Sequence, residues 1–133
     1  MIEINNLFKG TEKIDKAFIK KTVENVLKEE GVFNKNIDLS IAIIDSGEIK
    51  KINNQYRKKN KPTDVLSFGK IGEDLLEIVI CPTEVKKNGE VFKEELKRVV
   101  IHGVLHLLGY DHEKSRKEAL EMFTKQDEYF QLI

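Results

Sequence analysis

The sequence predicts an α+β fold: one domain over residues 1–133, with a small mixed sheet packed against helices. Three observations carry that prediction. Segments with two-residue apolar alternation stand among segments with helical spacing, and they succeed one another without the regular rhythm of a doubly wound sheet. A chain of 133 residues, 40% hydrophobic, is long enough to bury a core without outside help. Its single cysteine, Cys81, excludes an internal disulfide framework and fits a reducing cytoplasm.

The elements follow in order. IEINNLF (2–8) is expected as the opening strand. From Thr11 the apolar residues Ile14, Phe18, Val23, Val26 and Leu27 take helical spacing, and Gly31 is placed to end that helix. IDLSIAII (37–44) alternates Ile37, Leu39, Ile41 and Ile43 and reads as a strand. SGEIKKINNQYRKK (46–59) is a helix with Ile49, Ile52 and Tyr56 turned inward, stopped before Pro62. DVLSF (64–68) and LEIVIC (76–81) supply two further strands. After Pro82, TEVKKN makes a helical turn or short helix. Residues 91–108 form the next helix, and EKSRKEALEMFTKQDEYFQL (113–132) the last, with Leu120, Met122, Phe123, Tyr129 and Phe130 as its packing residues.

Charge excludes some partners. The 23 Lys and Arg balance the 23 Asp and Glu, so no global field argues for a polyanion or a membrane surface. No apolar run approaches the length that spans a bilayer, and MIEINNLFKG lacks the apolar core of a signal peptide. A cytoplasmic protein is expected.

The stretch VVIHGVLHLLGYDHE (99–113) contains every histidine of the chain, at 102, 106 and 112. Residues four apart on a helix lie about 6 Å apart along the axis and about 40° apart in rotation, so His102 and His106 share a face. Gly109 can adopt the left-handed conformation that ends a helix, letting His112 return toward the other two. A single histidine on an apolar helix is ordinarily a core residue satisfied by a neighbour. Three at this spacing would each carry a desolvation cost that one shared cation removes. Three imidazoles on a tetrahedral ion leave one position open, the pattern of catalytic zinc; nickel, copper or iron also suit such a site. The intervals match the metzincin signature H-E-x-x-H-x-x-G-x-x-H, except that Gly103 replaces the glutamate that serves metalloproteases as general base. Asp111 is either an acceptor for a ligand's N–H or a turn aspartate.

A second feature is local. Six cations lie between Lys50 and Lys61, with no acid until Asp64. A solvated helix face accounts for most of them, and a phosphate-bearing partner accounts for all. Arg57, next to Tyr56 and just before a rigid turn, is placed to grip a phosphate with two parallel hydrogen bonds.

HGVLHLLGYDH, NNQYRKKNKPTDVLSF and IVICPTEV together resemble the YbeY family of bacterial endoribonucleases of ribosomal RNA maturation, over nearly the whole chain. The resemblance implies a mixed four-stranded sheet with about five helices, in a layered arrangement like metalloprotease catalytic domains. It implies one zinc ion per chain on His102, His106 and His112, and an activity-bearing arginine, Arg57. Lys58, Lys59 and Lys61 are the expected seats for an RNA strand. The implied activity is single-strand-specific cleavage of RNA in 16S rRNA 3′-end processing and ribosome quality control, with ribosomal RNA and the ribosome as partners. Two departures stand out: Gly69 follows Phe68 where the family continues with proline, and Leu76-Glu77 replaces Gly-Asp. Rival readings are a zinc peptidase or amidase, with Asp64, Glu77 or Asp111 as base, and a non-catalytic zinc-stabilised factor that binds the ribosome.

Overall fold

The computed structural model describes residues 1–133. Four strands, β1 (Ile2–Asn6), β2 (Leu39–Ile43), β3 (Val65–Phe68) and β4 (Leu76–Ile80), form one sheet in the order β1-β2-β4-β3. β1 runs parallel to β2 and β2 to β4, while β3 is antiparallel to β4, so the sheet is mixed as expected. Five helices accompany it: α1 (Lys16–Glu29), α2 (Ser46–Arg57), α3 (Pro82–Lys86), α4 (Phe92–Leu107) and α5 (Arg116–Leu132). None is long and apolar enough to cross a membrane.

Strand alternation sorts the sheet into two faces. Leu39, Ile41 and Ile43 of β2 and Leu76, Ile78 and Ile80 of β4 point to one side, where α1 and α4 cover them with Val23, Val26, Val100, Ile101 and Val104. Val79, Cys81 and Leu66 point to the other, against Ile49 of α2. α5 lies on the outside of α4 and contributes Met122 and Tyr129 to the larger core. At about 25 cal/mol per Å² of apolar surface removed from water, these side chains supply the main term holding the layers together.

Several sequence expectations need correction. α1 starts at Lys16 and not near Thr11, because the Asp15 carboxylate accepts the Phe18 amide at 3.0 Å and caps the helix there. β1 and β2 are each shorter than expected. Tyr56 does not face inward; it is 62% exposed, touching Phe68 edge-on at 5.4 Å between ring centroids. α2 packs on its sheet face through Ile52 and Ile49, one and two turns before Tyr56. Leu120 is also outside the core, at 70% exposed, and Phe123 is 43% exposed.

Gly69, after β3, holds a backbone conformation that favours glycine. Its φ is +91°, and a Cβ there would fall 2.3 Å from the Leu75 carbonyl oxygen. Proline, locked near −65°, cannot take that conformation.

Candidate metal centre

α4 is amphipathic in an unusual way. Ile101, Val104, Leu105 and Leu107 are buried, while His102 and His106 occupy the one strip that looks into an open cleft. The helix ends in a double hydrogen bond: the Tyr110 N–H donates to the Leu105 carbonyl at 3.1 Å and the Gly109 N–H to the His106 carbonyl at 3.0 Å. Gly109, at φ +99°, supplies the left-handed residue that this motif requires. The chain reverses there and brings His112 back over the helix.

The three rings converge. Centroid separations are 4.7 Å for His102–His106 and 5.1 Å for each pair with His112. One nitrogen from each lies within 4.8 Å of the others. His102 Nε2 and His106 Nε2 stand 3.2 Å apart. Two nitrogens held at about 2.0–2.1 Å from a tetrahedral ion would be separated by roughly 3.3–3.4 Å, so this spacing fits a shared cation. His112 Nδ1 is the one buried side-chain nitrogen or oxygen in the molecule with no hydrogen-bond partner. A cation-binding role for the cluster accounts for a ring placed at that cost.

Electrostatics keep the rings ready as ligands. Burial lowers the pKa of His102, against a hydrogen bond to Gln126 that raises it. Burial also pushes His106 down to about 4, with help from His102, His112 and Arg57. Both rings are therefore neutral at neutral pH, the form that binds metal.

The cleft, about 230 Å³, joins the histidines to the basic segment. Arg57, Lys59 and Lys61 line it. Lys58 does not. Its backbone takes φ 59°, an uncommon conformation for a side-chain-bearing residue, and turns the chain off the end of α2. The returning loop is held by buried Asn53, whose amide donates to the Lys61 carbonyl at 2.9 Å. Glu113, next to the third histidine, places one carboxylate oxygen 3.9 Å from Arg57 Nη1, 4.0 Å from Lys59 Nζ and 3.8 Å from His112 Nε2.

The carboxylates considered as a peptidase base separate clearly. Asp64 lines the cleft, with one oxygen accepting from Asn88 at 2.9 Å. Glu77 opens on a different recess with Tyr56 and Phe68. Asp111 accepts the Glu113 amide at 2.8 Å, the turn role, and that bond holds its carboxyl below the usual range. Two residues of α5 reach the site: Phe123, expected from the sequence only as a packing residue, and Gln126, which the sequence reading missed. Gln126 Oε1 lies 2.6 Å from His102 Nδ1, and the Phe123 ring stands 6.1 Å from His102 and 5.7 Å from His112. A polar residue in register with Met122 and Tyr129 on the buried stripe was the available signal for Gln126.

Comparison with known proteins agrees with this arrangement. The family model described as endoribonuclease YbeY matches residues 3–133. Endoribonuclease YbeY of Persephonella marina is 41% identical over 135 residues, covering 93% of this chain and 87% of that one. The protein of the same name from Thermotoga maritima is 38% identical, covering all of this chain and 89% of its own. The solution structure of TM1509 from Thermotoga maritima superposes with a TM-score of 0.64 at 35% identity, covering 98% of this chain and 87% of that one. With its histidine cluster, mixed sheet and full-length match, the chain belongs to the endoribonuclease YbeY family.

Proposed function

We propose that this chain, acting as a single domain over residues 1–133, is a zinc-dependent endoribonuclease. Its substrate is single-stranded RNA, and its task is 16S rRNA 3′-end maturation and ribosome quality control in the cytoplasm. One observation carries the reading: three converging imidazoles share a cleft with an arginine and two lysines.

His102, His106 and His112 would hold one zinc ion. The chemistry that zinc supplies in such a site is Lewis acidity toward a phosphoryl oxygen or a water molecule. The remaining work falls to the chain. Arg57, anchored at the end of α2, donates two N–H groups to non-bridging phosphate oxygens and steadies charge as it grows on phosphorus. Lys59 and Lys61 neutralise flanking phosphates along the strand. Glu113 must give up its loose pairing with Arg57 and Lys59 when a phosphate arrives, which weakens binding of any anion that fails to engage both cations. This cationic cleft favours a phosphodiester over a peptide. The peptidase alternative is left with Asp64 as its one cleft carboxylate among those considered.

The test pairs metal analysis with digestion of single-stranded RNA by wild type, Arg57→Ala and His106→Ala. Zinc near one per chain with cleavage lost in both variants supports the proposal. Full zinc and full cleavage in His106→Ala refutes the site. RNA binding that persists with no cleavage to lose, even in wild type, establishes the non-catalytic alternative. Product ends separate the routes of attack, since a 2′,3′-cyclic phosphate means the ribose hydroxyl is the nucleophile.

A further inference from the structure

We propose that Gln126 is the positioning residue of the metal centre: its side-chain oxygen accepts the Nδ1–H of His102 and so directs the Nε2 lone pair of that ring at a cation shared with His106 and His112. The inference rests on the metal-centre reading above. A neutral imidazole carries one N–H, and the nitrogen that bears it cannot be a ligand. The 2.6 Å contact between Gln126 Oε1 and His102 Nδ1 puts the proton on Nδ1 and leaves Nε2 free, 3.2 Å from His106 Nε2. Of the three rings, only His102 has its second nitrogen hydrogen-bonded to another part of the protein.

The packing makes the contact hard to replace. Gln126 is 8% exposed, so no bulk water is at hand to take over its acceptor role. It follows Met122 by four residues and precedes Tyr129 by three, which places it on the face that docks α5 onto α4. The Tyr129 hydroxyl in turn donates to the Glu30 carboxylate at the end of α1. The last helix therefore completes a metal centre whose ligands all lie within residues 102–112, and it does so through an uncharged group. A glutamine in this place orients the ring without adding negative charge to a cleft meant for phosphate.

The experiment measures zinc affinity by competition with a chromophoric chelator for wild type, Gln126→Leu, Gln126→Glu and His106→Ala. Thermal unfolding of each metal-free protein and kcat and KM on single-stranded RNA accompany it. Gln126→Leu keeps the volume and removes the acceptor, and its zinc affinity is expected to fall by about 10–100-fold. Gln126→Glu retains an acceptor oxygen and is expected to hold zinc at least as tightly as wild type. At saturating zinc, Gln126→Leu should recover the wild-type KM for RNA, because no RNA-binding group has changed. Wild-type zinc affinity in Gln126→Leu alongside loss of metal in His106→Ala overturns the inference and leaves the metal-centre reading intact. Unchanged affinity in both overturns both. Equal weakening in the Leu and Glu variants also overturns it, since the acceptor would then be irrelevant.

Discussion

Glu30 ends α1, yet its carboxylate reaches two other parts of the molecule. One oxygen accepts the Tyr110 hydroxyl at 3.1 Å, from the turn between the second and third histidines, and the other accepts the Tyr129 hydroxyl of α5. Glu30→Ala removes the acceptor for both. Tyr129 is 5% exposed, so its hydroxyl would lose a partner without gaining water, at a cost of about 1–3 kcal/mol. The Tyr110 hydroxyl is better solvated and should lose about 0.5–1.5 kcal/mol. Together these give about 1.5–4.5 kcal/mol, or roughly 5–16 °C in Tm for a domain of 133 residues. Urea denaturation of Glu30→Ala, Tyr129→Phe and the double variant supplies the assay. A coupling energy of about 1–2 kcal/mol is expected between the two sites, because removing the hydroxyl also removes the penalty of orphaning it. Additive effects, or a loss below about 0.5 kcal/mol in Glu30→Ala, would refute the latch. Burial first, and then these hydrogen bonds to Glu30, raise the pKa of Tyr110 to about 12 and that of Tyr129 further. Neither phenol should therefore ionise in a spectrophotometric titration below that range.

Arg57→Ala should lower kcat/KM on single-stranded RNA by about 10²–10³-fold with circular dichroism unchanged, and Arg57→Lys should restore only part of it because the paired geometry is lost. Wild-type turnover in Arg57→Ala would remove that residue from the mechanism. In RNA-binding titrations, Lys59→Ala and Lys61→Ala should each reduce the slope of log K against log salt by about 0.7, whereas Lys58→Ala should leave it unchanged. An equal change for all three would mean that the strand runs outside the cleft. The metal-free protein should lose stability below neutral pH. Because His106 is held near 4 in the fold against 6.5 when unfolded, its contribution is complete above pH 6.5 and is lost as pH falls toward 4. Allowing for solvent at a partly exposed ring, about 1 kcal/mol should be lost between pH 7 and pH 5 by urea denaturation. His106→Ala should lack that share of the slope, and an unchanged slope would contradict the assignment.

Local signals in the chain led to the right place wherever one element held the whole signal. The helix 91–108 and the strand around Ile78 to Ile80 are long or dense enough in apolar residues that only one period suits them. The convergence of His102, His106 and His112 needs no more than one helix and one turn, and its spacing states both. What depends on two elements meeting was less legible. Tyr56 has the helical spacing of a core residue, but the buried contacts of α2 end with Ile49 and Asn53, so the spacing misleads. Phe123 and Gln126 acquire their roles only through the way α5 docks on α4, and no local pattern encodes that docking angle. Lys58 is one cation among six until its backbone conformation is known. The start of α1 was missed for a simpler reason: the apolar spacing begins before the helix does, and the cap is Asp15, whose carboxylate accepts the Phe18 amide.

Gly103 shows why protease spacing can persist without protease chemistry. The position is buried against the sheet, and a Cβ built there would lie 3.3 Å from two side-chain atoms of Ile78 and 3.3 Å from Ser67 Oγ. The Ser67 hydroxyl donates to the Gly103 carbonyl at 3.0 Å, fastening β3 to the middle of α4. Ser67 also lines the cleft, so this contact sets how far the histidines stand from the strand edge. A glutamate at 103 would press on Ile78 and Ser67, and a carboxylate that stayed buried without a partner would add several kcal/mol of desolvation. Packing at this position therefore disfavours the side chain that serves a metalloprotease as base, independently of the chemistry it would perform. With that base absent, the charged groups left in the cleft to act on a substrate are the cations Arg57, Lys59 and Lys61 and the carboxylates Asp64 and Glu113. Three cations around one cleft suit a substrate that brings its own negative charge to the reacting atom. A peptide carbonyl brings none. The close approach of helix to sheet at a single glycine thus narrows the chemistry of the cleft toward phosphoryl groups.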